Sequence, residues 1–552
     1  MSILELKNIR KSFGPKRVIG GASWQLNTGE KVALVGTNGS GKTTLLKIIN
    51  GTLPPDSGIV RIDPEITIGY VSQEARFDGS KTLREEICDQ DMIDMCEELK
   101  RLEAEMPRLK DDRSRLMEIV SKYDRLHAEF QNRDGYGYEA RLVMLIGRTG
   151  LKPSDLDMPA SALSGGQKSR AQLAKALLKQ PDLLLLDEPD NHLDVSALEW
   201  LEEFLPNYKG AMIIVSHDRY LLDKVIHKTL EIEFGKLRQY KGNYTYYADQ
   251  KERARVKQHY DYVNQQQDIV RLREAVETLQ KWSVKGKSSK FSGRVRSMRR
   301  SLDRMELVDK PRRKPKIQLS LEFQKRSGEM VVEAVGLSKS FGHHVLFSNM
   351  NFSIRWGEHA AIVGPNGSGK TTLIKLILGL ESPSRGYANL GSNLIVSYFD
   401  QEQQGLDRGR TIYGELEEST DLSKEETMYL LSKLLFRGDK AFNRIENLSG
   451  GEKNRVMLSK LVYTKANLLI LDEPTNHLDI PSIEMLEDAL AKFQGTVILV
   501  SHDRHLLTKV ANRVIELENG EAHLYPGGYE YYLSKRGQQN TTEEDLRNVE
   551  IC

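Results

Sequence analysis

The feature that most constrains this chain is an internal repeat whose register changes once. LVGTNGSGKTTLLKI (34–48) recurs as IVGPNGSGKTTLIKL (362–376), 328 positions on. Ser12-Phe13-Gly14 and Gln73 recur at the same offset, as Ser340-Phe341-Gly342 and Gln401. Further along the offset falls to 285. LSGGQ (163–167) matches LSGGE (448–452), LLLLDEP (183–189) matches LLILDEP (468–474), and SHDR (216–219) matches SHDR (501–504). Self-similarity of this kind means two copies of one domain. The change of offset places a net 43-residue insertion in the first copy, between Gln73 and Leu163. The copies span about 1–247 and 329–535, a non-repeated stretch, 248–328, joins them, and 536–552 is a short polar tail.

Each copy carries a phosphate-binding loop. Gly36-x4-Gly41-Lys42-Thr43 and Gly364-x4-Gly369-Lys370-Thr371 both follow an apolar strand (32–35; 360–363) and precede a helix (45–49; 373–378), the context that distinguishes a P-loop from a chance match. The glycines (Gly36, Gly39, Gly41; Gly364, Gly367, Gly369) let successive amides, those of Asn38 and Asn366 included, turn onto phosphates at a helix N-terminus. Lys42 and Lys370 reach the β/γ-phosphates, Thr43 and Thr371 offer hydroxyls to Mg²⁺, and Thr44 and Thr372 follow in the same helix turn. Asp187 and Asp472 each end a run of four apolar residues, at a strand end suited to holding Mg²⁺ through water. Glu188 and Glu473 come next, where a carboxylate can orient and deprotonate an attacking water. His217 and His502 end two further apolar strands within reach of the same γ-phosphate. LSGGQ and LSGGE each open a helix whose Ser164, Gly165 and Gly166, or Ser449, Gly450 and Gly451, make an anion site.

The unrepeated parts read as helix. In the insertion, taken as an arm over about 84–140, helical spacing runs over 84–106, breaks at Pro107 and resumes over 108–131, predicting an antiparallel hairpin. In the joining stretch, Val256, Tyr260, Val263, Ile269, Leu272, Val276 and Leu279 keep helical spacing, and Phe291, Val295, Met298, Leu302 and Met305 step as a heptad seam. A Gly/Ser/Lys turn, 283–290, separates them. The expectation is two antiparallel helices, each on the order of 40 Å long at ~1.5 Å per residue.

Charge singles out the same stretch. The whole chain is only +2, yet residues 250–328 hold 22 Lys and Arg against 9 Asp and Glu, leaving the remainder net acidic. Lys281, Lys285, Lys287, Lys290, Arg294, Arg296, Arg299 and Arg300 crowd the predicted tip, an electrostatic footprint for RNA. Membranes are not implied: the apolar runs are of buried-strand length, and the N-terminus lacks the apolar core of a signal peptide. Three cysteines, Cys88, Cys96 and Cys552, cannot form a disulfide framework or hold an iron–sulfur cluster, which suits a reducing cytoplasm.

The P-loops, Gln73 and Gln401, the LSGG helices, the DEP segments and the SHDR histidines together resemble the ATP-binding cassette (ABC) superfamily. The arm, the basic two-helix linker and Asn-His-Leu-Asp at 191–194 and 476–479 resemble its ABC-F branch. The resemblance implies an α/β fold of two tandem P-loop cassettes and two ATP·Mg²⁺ sites. One would use Lys42, Thr43, Gln73, Asp187, Glu188 and His217 against Ser164's counterpart Ser449 and Gly451. The other would use Lys370, Thr371, Gln401, Asp472, Glu473 and His502 against Ser164 and Gly166. Gln73 and Gln401 would join the Mg²⁺ sites, and Phe13 and Phe341 would stack adenine. The resemblance further implies a monomeric cytoplasmic ATPase with an intramolecular cassette sandwich. When ATP-bound it would enter the ribosomal exit site, contacting large-subunit rRNA, the peptidyl-site tRNA and the exit-site stalk. The short predicted turn favours a general translation factor that relieves stalled or idle ribosomes over the antibiotic-protecting members, which often carry a long loop there. An ABC transporter subunit would have neither arm nor basic linker. One departure stands out: Asp190 occupies the position of Thr475, adding a negative charge beside the first site.

Overall fold

A computed structural model describes residues 2–73, 77–109, 113–191, 193–284, 290–305, 321–342, 344–400, 406–419, 423–433, 436, 438–476 and 478–536. The chain divides into two compact units, 1–241 with 317–552, and 242–316.

In the larger unit the repeat is visible as two copies of one architecture. The first begins with strands β1 (Ser2–Phe13), β2 (Lys16–Asn27) and β3 (Lys31–Val35), helix α1 (Lys42–Ile49), and strands β4 (Ser57–Ile62) and β5 (Ile68–Val71). Helices α2 (Leu83–Ile87), α3 (Gln90–Glu105), α4 (Arg113–Asn132), α5 (Gly135–Arg148) and α6 (Gly165–Leu178) follow. It closes with β6 (Leu183–Asp187), α7 (Val195–Asn207), β7 (Ala211–Val215), α8 (Arg219–Val225), β8 (Lys228–Glu233) and β9 (Lys236–Lys241). The major sheet runs β5-β6-β7-β3-β8-β9, parallel except for the β8–β9 edge hairpin, and β2-β1-β4 form a separate antiparallel sheet. β3, β6 and β7 are buried at every position, as sequence runs without polar alternation require of strands covered on both faces.

The smaller unit contains α9 (Tyr244–Val284) and α10 (Lys290–Asp303). The second copy then repeats the order: β10 (Met330–Phe341), β11 (His344–Arg355), β12 (His359–Val363), α11 (Lys370–Ile377), β13 (Arg385–Leu390), β14 (Val396–Phe399), α12 (Ile412–Ser419), α13 (Lys424–Lys433), α14 (Gly450–Tyr463), β15 (Leu468–Asp472), α15 (Ile480–Lys492), β16 (Thr496–Val500), α16 (Arg504–Val510), β17 (Arg513–Glu518) and β18 (Glu521–Tyr525). Its sheets, β14-β15-β16-β12-β17-β18 and β11-β10-β13, match those of the first copy. Leu321 and Phe323, ahead of β10, pack on the core of this second cassette, with Phe323 edge-on to Trp356 and Phe493.

The arm lies between the isolated bridge partners Thr82 and Pro159, whose counterparts in the second copy are Thr411 and Arg444. α3 and α4 run antiparallel: Tyr123 donates to Glu103 at 2.7 Å near one end, and Arg133 meets Asp91 at 3.7 Å near the other. Met92, Met95, Leu99 and Phe130 form their shared core. The chain turns at a 3₁₀ segment, Met106–Leu109, where Pro107 cannot continue the ladder.

The linker helices differ from the expected equal pair. α9 has 41 residues, about 60 Å, because neither Gly nor Pro interrupts the chain from Tyr244 to Val284. α10 has 14, about 21 Å. The shorter helix covers only part of the longer: Ile269, Val276 and Val295 are buried, while Val256 and Tyr260, which keep helical spacing, are 61% and 66% exposed. Among the described residues, no helix is long and apolar enough to cross a membrane.

Candidate nucleotide sites

Both P-loops leave the carboxyl end of a central parallel strand, β3 or β12, where open α/β sheets place ligands. Gly41 and Gly369 cap the following helices in the left-handed region, at φ 107° and 97°. A Cβ on Gly41 would come within 2.6 Å of the Val18 side chain, so only glycine turns the chain here. Lys42 Nζ donates to the Gly36 carbonyl at 2.8 Å, and Lys370 Nζ to that of Gly364 at 2.8 Å, folding each ammonium back over its loop. Burial lowers both lysine pKa values, against the nearby carboxylates Glu188 and Glu473.

Next to each loop stands an acidic pair. Asp187 and Asp472 are buried, each beside a P-loop threonine hydroxyl, Thr43 or Thr371. Burial pushes each up to about 6, with the hydroxyl of Thr43 or Thr371 working the other way. Buried carboxylate oxygens beside a threonine hydroxyl are hard ligands suited to Mg²⁺.

Glu188 and Glu473 have φ of 54° and 49°, a conformation rare for glutamate and costing about 1–3 kcal/mol. The Glu188 amide donates to Val215 O at 2.8 Å and the Glu473 amide to Val500 O at 2.9 Å, and these bonds fix the strained turn. Strain repeated at the same residue in both copies aims each carboxylate off its strand end toward the P-loop. Glu188 accepts from Gln73 Nε2 at 2.9 Å and Asn191 Nδ2 at 2.8 Å. His217 Nε2 lies 3.4 Å from Glu188, and His502 Nε2 lies 3.4 Å from Glu473. Burial drives His502 down to about 3, so it is neutral at pH 7. Burial raises Glu473 well above the usual carboxylate range, with Lys370 opposing.

Phe13 and Phe341 end β1 and β10 and are 52% and 53% exposed, so they do not serve as core packing. Lys11 lies 5.9 Å from the Phe13 ring centre and Lys339 lies 4.8 Å from that of Phe341. Ser164 and Ser449 N-cap α6 and α14 through complete capping boxes with Gln167 and Glu452. Gln401, Lys285 and Lys287 fall outside the described residues. In the linker unit Lys281 pairs with Glu277 at 2.8 Å, and Arg296, Arg299 and Arg300 are exposed on α10, which also contains Lys290 and Arg294.

The cassettes meet through P-loop amides and the aspartates of the Asn-His-Leu-Asp repeats, a contact that sequence reasoning did not assign. The Asn38 amide donates to Asp479 Oδ2 at 3.1 Å, and the Asn366 amide to Asp194 Oδ2 at 3.3 Å. Each P-loop is therefore touched by the aspartate that caps α15 or α7 of the other cassette. The Asn-His-Leu-Asp repeat was the available signal. Behind it, Asn454 of α14 donates to Asn476 O at 2.5 Å, tying the LSGGE helix to that junction.

Asp190 is half-buried beside Asp218 and Ser216. Burial first, then the Asp218 charge, raises it to about 7. From the ordinary value of 3.8 up to 7 the folded chain keeps a proton that the unfolded chain has released, so this residue lowers stability as pH rises through that window. Asp190→Thr should raise the melting temperature at pH 8 and change it little at pH 4. A gain of ~2–4 °C per kcal/mol is expected for a domain of this size, and calorimetry at the two pH values checks it.

An ABC transporter family profile matches residues 19–191 and 347–476, and a companion ABC transporter extension profile matches 230–319. The chain is 39% identical to the putative ATP-binding protein YdiF of Bacillus subtilis, over 99% of this chain and 84% of the relative. It is 38% identical to ABC transporter F family member 5 of Arabidopsis thaliana, over 98% of this chain and 78% of that protein. It is 33% identical to the energy-dependent translational throttle protein EttA of Escherichia coli K12, over 96% and 92%. Among solved structures, RNase-L Inhibitor shares the tandem-cassette fold at a TM-score of 0.56 and 22% identity, covering 95% of this chain and 91% of that one. The archaeal ribosome recycling factor aABCE1, in complex with the stalk protein aP1, gives 0.56 and 21%, over 96% and 92%. With full-length similarity at this level and two complete P-loop cassettes, the chain belongs to the ABC-F family of ATP-binding cassette ATPases.

Proposed function

We propose that this ATPase is a translation factor that binds the ribosomal exit site and acts through its linker on the peptidyl-site tRNA and the peptidyl-transferase region. The observation that carries the reading is the excess of positive charge on the linker, with Arg296, Arg299 and Arg300 exposed along α10. The name of EttA, a translational throttle, supports it. The proposed division is a first cassette over 1–247 with an arm at about 84–140, a linker over 248–328 and a second cassette over 329–535. The arm would face the stalk beside the exit site. The sequence predicts a turn of only about eight residues, 283–290, at the tip of the linker. That short turn favours relief of stalled or idle ribosomes over protection from antibiotics.

Each site would hold ATP between one P-loop and the other cassette's LSGG helix, within a single cytoplasmic chain. Thr43, Asp187 and Gln73, with Thr371, Asp472 and Gln401, would hold Mg²⁺, which when bound offsets the charge of the phosphate oxygens. Lys42 and Lys370 bind the β/γ-phosphates, and Phe13 and Phe341 stack adenine. Glu188 and Glu473 orient the attacking water and accept its proton at the carboxylate. Gln73 and Asn191 fix the rotamer of Glu188. His217 and His502 face the γ-phosphate, His502 as a neutral imidazole. With two ATP molecules bridging the cassettes, closure is stabilised, and hydrolysis at each site relaxes it.

Co-sedimentation with ribosomes and with membranes tests this reading. Ribosome binding should require ATP and fall steeply between ~50 and ~200 mM salt, as expected when several phosphates are neutralised. Partition into membranes with none on ribosomes would instead support a transporter subunit.

A further inference from the structure

Two arginines, each mostly shielded from solvent, cross between the cassettes in matching positions. Arg219, two residues after His217, donates to Glu487 Oε1 on α15 at 2.5 Å. Arg504, two residues after His502, contacts both oxygens of Glu202 on α7, at 3.0 and 3.2 Å. The arginine side chains are 14% and 11% exposed, and those of Glu487 and Glu202 are 3% and 0% exposed. Each glutamate also meets a lysine of its own cassette: Lys224 donates to Glu202 at 2.6 Å and Lys509 lies 3.4 Å from Glu487. Between the two pairs Tyr220 stacks on its repeat counterpart His505, with ring centres 4.3 Å apart. Equivalent residues meeting each other mark a local two-fold relation.

The helices that receive these arginines also touch the P-loops. α15 is capped by Asp479, which accepts the Asn38 amide of the first site. Eight residues on, about 12 Å along the helix, its Glu487 holds the arginine that follows His217 of that same first site. α7 does the same for the second site, through Asp194 to Asn366 and Glu202 to Arg504. Each site is thus spanned by one helix of the opposite cassette, joined to it at the P-loop and behind the histidine.

We infer that Arg219 and Arg504 are positioning residues, each holding the histidine segment of its own ATP site in register with the P-loop through a strut helix of the other cassette. The inference rests on the site roles proposed above. It makes closure of the two cassettes a condition for correct placement of His217 and His502, so that turnover at each site depends on a glutamate lying in the other cassette.

A double-mutant cycle on the full chain tests it: Arg504→Met, Glu202→Gln, and the two together, with Lys224 left half-exposed to water. Each single variant should lower kcat about 10-fold or more through misplacement of the site, with KM for ATP changed less than about 2-fold. The double variant should stay as low as either single one, since one interaction is lost once. Arg504→Lys should recover much of kcat, because a single nitrogen, Nη1, reaches both Glu202 oxygens. If the pair only stabilised the fold, the double variant, free of an unpaired buried charge, would return to wild-type kcat, and that result overturns the inference. So does multiplicative loss in the double variant. Repeating Arg504→Met in Glu188→Gln and Glu473→Gln chains adds direction: the deeper loss is expected where only the second site turns over. Equal loss in both overturns the strut assignment. Should Glu188→Gln or Glu473→Gln leave turnover at full level, the roles of those glutamates fail, while the cycle still judges the arginine pair.

Discussion

Glu188→Gln combined with Glu473→Gln is expected to reduce ATP hydrolysis by about 10²–10⁴-fold, the contribution of a positioned general base, while ATP remains bound. Glutamine keeps the shape and still accepts a hydrogen bond from Asn191, but it cannot take a proton from water. Both glutamates occupy the same strained turn, at φ 54° and 49°, beside a P-loop lysine and a histidine. The substitution therefore changes chemistry more than structure. Single-turnover measurement of phosphate release, with equilibrium binding of labelled ATP on the same preparation, checks both halves. Loss of binding together with hydrolysis would mean that the glutamates hold nucleotide instead of activating water. Retained hydrolysis would remove them from the catalytic step.

The second large effect concerns the linker. Replacing Arg296, Arg299 and Arg300 with serine should abolish stimulation of the ATPase by ribosomes and leave hydrolysis by the free chain unchanged. The three side chains are exposed on a helix outside the unit that contains both cassettes, so their removal does not disturb the nucleotide sites. If each contacts a phosphate, the log–log salt slope of ribosome binding should flatten by ~0.7–0.9 per arginine removed. An unaltered slope and unaltered stimulation would make the linker a spacer.

The motor was legible in the sequence because its chemistry demands fixed residue types at fixed spacing, twice. The P-loops, strand-end acidic pairs and histidines converge in space as their sequence contexts require. Hydrophobic spacing also located the arm hairpin, with its break at Pro107. Spacing was less informative in the linker. Val256 and Tyr260 keep a helical period yet stay exposed, because period alone does not say how far a partner helix extends. The cassette junction was hidden for a different reason. Arg219 and Glu487 are 268 positions apart, as are no neighbours on a helix or strand, and nothing local distinguishes them from surface charges. Only their recurrence as Arg504 and Glu202, read against the 285-residue offset, marks them as a pair of pairs. Asp190 was legible as an oddity, but its effect depends on burial: near pH 7 its proton removes part of the extra charge that the sequence suggested.

The central claim is that ATP-driven cassette closure governs binding to the ribosome, and the hydrolysis-deficient chain tests it most directly. With ATP, the Glu188→Gln/Glu473→Gln protein should migrate with 70S ribosomes in a low-salt sucrose gradient, and without ATP it should remain at the top. A double variant that binds ATP yet stays free of ribosomes under those conditions would contradict the account.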